Sequence, residues 1–346
     1  MKLSKIIFLA AVGLMGILSG CSIQKMAGEK VLSFTHDEAI PYLMSQGDLQ
    51  AACQMGQSMG PVVSSMVRME LEPESISIAT NMASGMCAEF EQREAELDRV
   101  RALYEGRPTA AQDALIREKL GHRLAALRMS VAYENAVKTY GDFTDKCPKY
   151  ETSTDELLSL LGLASGALAL LHDFNSEKSV GISLDIPVRI EKAAKCFDDK
   201  KWWGMPTALR AAIWLSIPGS GPEGVDPLDA MLNAAQTGDE QGVILARAMY
   251  AMMAATVGRD DLKCEAIAQI PRASETNHDY DMLNAYAASM LMHYADIEWT
   301  KQNVYRAPFM QYICPADLAA PAIDQNQADE LLDGLFDEEE TPAVAE

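Results

Sequence analysis

The sequence predicts an all-α protein of about a dozen helices, joined as consecutive hairpins in a solenoid or bundle. Three observations carry this. Ala, Leu, Met, Glu and Gln are abundant while runs of β-branched residues are few. Apolar residues recur at helical spacing, most visibly among the 20 methionines: Met55 with Met59, Met66 with Met69, Met82 with Met86, Met249 with Met253. Capping residues and Gly/Pro breaks also punctuate the chain, and helix pairs recur every ~35–50 residues, the grain of a degenerate helical repeat.

The elements follow in order. Residues 1–20 read as a leader, 21–32 as a short polar tether, 33–300 as the helical body and 301–346 as an acidic extension. Thr35-His36-Asp37-Glu38 has the form of a capping box, so a helix is expected to start there. Gly47 ends it and Asp48 caps the next, which runs through Cys53 and Met59 to Gly60-Pro61; the proline either kinks this helix or begins another. A long helix is expected from Ser75 to about Tyr104, with Ile78, Met82, Met86 and Phe90 on its apolar positions. Another runs from Ala110 to Tyr140, with Leu120, Leu124, Leu127 and Val131 marking its apolar face. After a loop holding Cys147-Pro148, Ser153-Thr154-Asp155-Glu156 reads as a second capping box before the apolar run Leu157 to His172. Pro187, Pro206 and Pro227 each sit in a first helical turn. The segments 242–257, 260–270 and 281–299 complete the series.

The N-terminus Met1-Lys2-Leu3-Ser4-Lys5, the apolar run Ile6 to Leu18 and the small residues Ser19-Gly20 form a secretory leader. Leu18-Ser19-Gly20-Cys21 resembles the lipobox of bacterial lipoproteins. That resemblance implies cleavage after Gly20 and lipidation of Cys21, and Ser22 in the next position implies sorting to the periplasmic face of the outer membrane. Two or three acyl chains, at about 0.8 kcal/mol per buried methylene, anchor stably where one does not. Beyond the leader no stretch reads as a membrane span. The nearest, 242–257, is shorter than the roughly 20 residues required and contains Arg247, which predicts a buried helix.

Charge narrows the function classes. Removal of Lys2 and Lys5 with the leader takes the formal charge from −21 to −23. Such acidity opposes nucleic acid and anionic lipid surfaces. After Arg306 there is no Lys or Arg, and the tail ends its acidic run in Asp337-Glu338-Glu339-Glu340. Within it Leu331, Leu332, Leu335 and Phe336 share one helical face, which packs back on the body or docks on a partner.

Catalytic residues, metal ligands and cofactors are not expected. The histidines His36, His122, His172, His278 and His293 show no zinc spacing, and His172-Asp173 and His278-Asp279 read as helix-end or solvated pairs. Gly-x-Ser-x-Gly occurs at Gly56-Gln57-Ser58-Met59-Gly60, but inside the expected helix that runs to Gly60-Pro61 and not at a strand-to-helix elbow, and the loop Gly219 to Gly224 follows a helix and holds Glu223, unlike a phosphate cradle. Trp202-Trp203 is the most suggestive binding feature: one indole lines a groove or interface, or both are half-buried between helices. Apart from Cys21 there are six cysteines, an even number in an exported chain. Six cysteines allow fifteen connectivities. In a solenoid, chain neighbours meet, so Cys53–Cys87, Cys147–Cys196 and Cys264–Cys314 are the natural pairs, against six buried thiols as the alternative.

From Asp155 to Trp299 the order of features resembles the T-component family of TRAP-transporter-associated lipoproteins. The features are Leu163-Ala164-Ser165-Gly166-Ala167-Leu168, a polar link with Asn175, Pro187-Val188-Arg189-Ile190-Glu191-Lys192-Ala193, and Trp202-Trp203-Gly204-Met205-Pro206. Ile217-Pro218-Gly219-Ser220-Gly221, Leu245-Ala246-Arg247-Ala248-Met249-Tyr250 and Arg259-Asp260-Asp261-Leu262 follow. Leu228-Asp229-Ala230-Met231-Leu232 departs from the family in having no aromatic residue, and residues after Thr300 have no counterpart. The resemblance implies a TPR-like α-helical lipoprotein in the periplasm, and the lack of a catalytic constellation makes it non-enzymatic by expectation. It would associate with a TRAP-type substrate-binding protein, as a homotrimer in some members, and assist uptake of a small solute. The alternatives are a TPR-like envelope scaffold with no ligand and, third, an unrecognised hydrolase. Cys21→Ala is expected to move the protein from the membrane to the soluble fraction; a variant that still pellets with membranes would refute the anchor.

Overall fold

A computed structural model describes residues 23–141, 146–269 and 276–308, and among these every regular element is a helix. The all-α expectation holds, as a helical bundle. Residues 23–34 (α1) lead through a π-helical turn, Thr35–Ala39, into Ile40–Met44 (α2). The expected tether is thus helical, and Thr35 starts nothing. Its hydroxyl donates to the Val31 carbonyl at 2.8 Å, the four-residue back-bond of a helix interior. Tertiary contacts override the cap signal: Leu32 packs against the cluster of Ile40, Val63 and Ile76, and His36 Nε2 lies 3.1 Å from Asp155 Oδ1.

Helix α3 (Leu49–Ser65) is capped as expected, Asp48 accepting from the Ala51 N–H at 2.9 Å. Pro61 lies within α3 and neither ends nor begins a helix. A long antiparallel hairpin follows, α4 (Glu74–Tyr104) and α5 (Pro108–Tyr140). Here the expected apolar face of α5 is corrected. Leu120, Leu127 and Val131 are exposed and Leu124 only half-buried, while Ala125, Ala126, Met129, Ala132, Tyr133 and Ala136 face inward. Close packing on both sides selects small residues for the inner face, so the leucines mark the outside.

Helix α6 (Ser153–Asn175) begins at a capping box one residue earlier than expected, formed by Thr152 and Asp155. It is the helix of membrane-span length and apolarity among the described residues, a role the sequence reading gave to 242–257. Two-thirds of its apolar window, 67%, is buried inside the protein, so it serves as a central core helix. Gly162 and Gly166 make this possible. A methyl at Gly162 would overlap the Ala136 methyl, and one at Gly166 would strike the Tyr133 ring, so α5 and α6 meet nearly backbone to backbone.

The remaining helices are α7 (Ile186–Ala194), α8 (Met205–Ser216), α9 (Pro227–Glu240), α10 (Leu245–Thr256), α11 (Asp260–Gln269) and α12 (Asp281–Asn303). Buried Arg247 on α10 is held by Asp239, whose oxygens lie 2.9 Å from its Nε. The last helix departs from a simple solenoid. It returns to lie along α4, with Tyr286, Ser289 and His293 bonded to Glu89, Arg93 and Glu96. The body also runs past residue 300: the Arg101 Nε–H donates to the Val304 carbonyl at 3.0 Å and Arg306 pairs with Glu94 at 2.6 Å. The leader, Cys21, the tail's Leu331, Leu332, Leu335 and Phe336, and Cys314 lie outside the described residues.

Two of the sequential cysteine pairs are joined. Cys53–Cys87 staples α3 to α4 with α-carbons 5.2 Å apart, and Cys147–Cys196 ties the α5–α6 link to the end of α7 at 5.4 Å. Cys264 packs half-buried against the main core. Closing loops of 34 and 49 residues corresponds to roughly 4 kcal/mol each in the chain-entropy model. Non-reducing peptide mapping is expected to recover both linked peptides, and Cys147→Ser with Cys196→Ser to lower stability by up to about that amount. Free alkylated thiols at these four positions would contradict the pairing.

Candidate functional site

The site is a cavity of about 470 Å³ enclosed by α4, α5, α6, α7, α8, α10 and α12. Small side chains open it: Ala164 and Ala167 on α6 and Ala212 on α8 all line the wall. Methionines surround that space, among them Met82 and Met86 from α4, Met129 from α5 and Met249, Met252 and Met253 from α10. Such walls are apolar, polarisable and able to re-pack around differently shaped guests. Those methionines were legible as core residues; that several meet around one cavity was not.

The wall offers a guest little hydrogen bonding. Ser165 Oγ–H donates to the Leu161 carbonyl and Ser216 Oγ–H to the Ala212 carbonyl, each at 2.8 Å. The Tyr286 hydroxyl donates to Glu89 Oε2 at 2.6 Å. The mouth is ringed by the exposed side chains of Leu171, Phe174, Leu184 and Ile217. Its rim loop is fixed from below. Buried Asp173 accepts the N–H groups of Val180, Gly181 and Ile182 at 2.8, 3.1 and 2.8 Å, which holds the turn that presents Leu184.

Behind the Tyr286 wall lies a buried polar network that the sequence reading missed. Glu89 (3% exposed) on α4 meets His172 Nε2 (5%) on α6 at 2.8 Å, and His172 Nδ1 meets His122 Nδ1 (7%) on α5 at the same distance. Tyr286 brings α12 to the same carboxylate, and Arg93 lies 3.7 Å away. Burial pushes the Glu89 carboxyl up, but the His172 hydrogen bond, the Arg93 charge and the Tyr286 hydroxyl outweigh it and hold the group below the usual range. Burial, with the neighbouring His172 charge, pushes His122 down to about 4. His172-Asp173 lies at a helix end as expected, in the last turn of α6, but is buried and not solvated, whereas His278 is largely exposed and bonds Asp281. The available signal was Glu89 itself, three residues beyond Met86 on the inward register of α4.

Trp202 and Trp203 line neither groove nor exposed interface. They are 1% and 2% exposed, stacked edge to face with centroids 5.4 Å apart, and Trp203 packs on Tyr280 at 4.3 Å. The turn at Trp203 and Gly204, both at positive φ, lets adjacent indoles point inward together, and Trp202 Nε1–H donates to Glu156 at 2.8 Å. Among the described residues no group of three or more His, Cys, Asp or Glu is arranged to hold a metal ion. Comparison of the chain with family models, curated proteins and solved structures gives no match.

The network makes stability acid-sensitive. The folded pKa of His122 lies below its unfolded value, so as pH falls from about 6.5 towards 4 the unfolded chain takes up a proton that the folded chain refuses. Depressed Glu89 adds loss in the same direction at lower pH, as the unfolded carboxyl becomes protonated first. The melting temperature is expected to fall between pH 7 and 5, with His122→Gln flattening that slope. Equal slopes in variant and wild type would refute the assignment.

Proposed function

We propose that the protein is a lipid-anchored, TPR-like periplasmic binding protein that holds a small, largely hydrocarbon solute and works with a TRAP-type substrate-binding protein in its uptake. The observation that carries the reading is the cavity: apolar, methionine-rich, and with the hydroxyls on its wall already bonded within the protein. A polar guest would lose water there without regaining hydrogen bonds, whereas burying apolar surface gains about 25 cal/mol per Å².

The placement of the mouth supports hand-over to a soluble partner. Asp155, beside His36, and Phe174, at the mouth, are separated by 19 residues of α6, roughly 28 Å of helix. Gly28 sits on Leu71, beside the start of α4 and hence at the Asp155 end. The described chain starts at residue 23 on the same helix as Gly28, so a lipid anchor upstream of it would leave the opening facing away from the bilayer.

Dodecanol is a suitable apolar probe. Detergent-free wild-type protein is expected to bind it saturably at one equivalent, and Ala167→Trp, which fills the wall, to bind about tenfold more weakly. Absence of saturable binding by the wild type, with envelope-assembly proteins co-purifying and no TRAP-type binding protein, would favour the scaffold reading instead.

A further inference from the structure

A second, chemically opposite recess lies on the other side of α4. Its origin is local. A Cβ at Gly56 would lie 2.6 Å from the Ser84 nitrogen and 2.8 Å from the Thr80 carbonyl oxygen, so α3 crosses α4 backbone to backbone there. One turn on, a Cβ at Gly60 would meet only Thr80, at 3.8 Å, so the helices have parted. The space between them, about 440 Å³, is lined by Gln57, Ser64, Asn81, Ser84 and Arg128 together with Gly56, Gly60 and Pro61. Pro61 has no N–H, so the Gln57 carbonyl lacks its helical donor.

Arg128 is the single ionisable group of this lining. It is part-buried, and its Nη1–H donates to the Ser84 carbonyl at 2.7 Å. Among the described residues no carboxylate lies within ion-pair distance of it. The other buried or part-buried arginines, Arg93, Arg99, Arg101, Arg210 and Arg247, pair with Glu89, Glu118, Asp98, Glu191 and Asp239. The chain has 50 acidic residues against 29 basic ones, yet this guanidinium faces neutral amides and hydroxyls. Burial pushes its pKa down, and the more distant Glu91 charge only partly opposes this. A partly desolvated guanidinium still has most of its five N–H donors to satisfy, and its planar fork matches a carboxylate.

The geometry points to the α3–α4–α5 recess as a binding site for a small monocarboxylate bearing a hydroxyl or carbonyl oxygen, with Arg128 as its charge partner. One positive charge neutralises one carboxylate, and the Ser64 and Ser84 hydroxyls and the Gln57 and Asn81 amides suit the neutral oxygens. A dianion would leave an unpaired charge in the field of an acidic chain. The site is independent of the apolar cavity.

Lactate serves as the probe, in calorimetric titration and thermal melting at constant ionic strength against sodium chloride. The wild type is expected to bind lactate saturably and melt higher with it, while chloride has no such effect. Arg128→Gln is expected to lose at least about tenfold in affinity while still binding dodecanol. Ser64→Trp alters an exposed position at the recess and decides the matter if the arginine variant does not fold; it should melt like wild type and lose lactate. Lactate no more effective than chloride, or binding unchanged in a folded Arg128→Gln or Ser64→Trp variant, overturns the site. Inorganic phosphate binding more tightly than lactate overturns the monoanion assignment.

Discussion

A buried carboxylate organises this bundle. Glu89 sits at the middle of α4 with almost no access to water, and a buried anion is tolerated only where donors surround it. Those donors come from elsewhere in the chain: His172 from α6 and Tyr286 from α12, with Arg93 alongside. Meeting that requirement places α12 on α4 across almost two hundred residues of sequence. Without α12, the hairpins would form an open row; with it, they close round a space. The ring that satisfies Glu89 is also a wall of the cavity, so the polar network and the apolar site share Tyr286.

The cavity and the tight contacts around it have one origin, the alternation of very small and large flexible side chains. Where Gly162 and Gly166 face Ala136 and Tyr133, α5 and α6 meet closely and no space remains. Where alanines of α6 and α8 face methionines of α4 and α10, the helices are held apart by long side chains that do not fill the gap. Disulfides frame this arrangement rather than create it. Cys53–Cys87 joins the neighbouring helices α3 and α4, and Cys147–Cys196 ties the link before α6 to the turn after α7.

Two recesses of opposite chemistry thus lie around α4. One is apolar, its hydroxyls turned to internal partners. The other is polar and open, with one arginine that has no acid partner among the described residues. Strong overall acidity leaves both intact, because the carboxylates are spread over the solvated surface or paired within the bundle.

Much of the helical order was legible because helix formation here is local. Asp48 and the prolines of α7, α8 and α9 act within a turn or two of themselves and the observed bounds follow them closely, while the box before Leu157 lies one residue and the start of α5 two residues earlier than expected. Chain-neighbour logic extended this to two disulfides. What depends on which face turns inward was not legible. Leu120, Leu127 and Val131 follow the apolar rule yet point outward, Thr35 carries a cap sequence inside a helix, and both indoles of Trp202-Trp203 are buried. The cavity, the Glu89 network and the Arg128 recess are juxtapositions of residues from helices distant in sequence. By itself the sequence determined the helical class, most boundaries and the acidic character. Only tertiary packing decided which residues meet, because helix periodicity constrains neighbours three and four apart and carries no information on what lies across the interface.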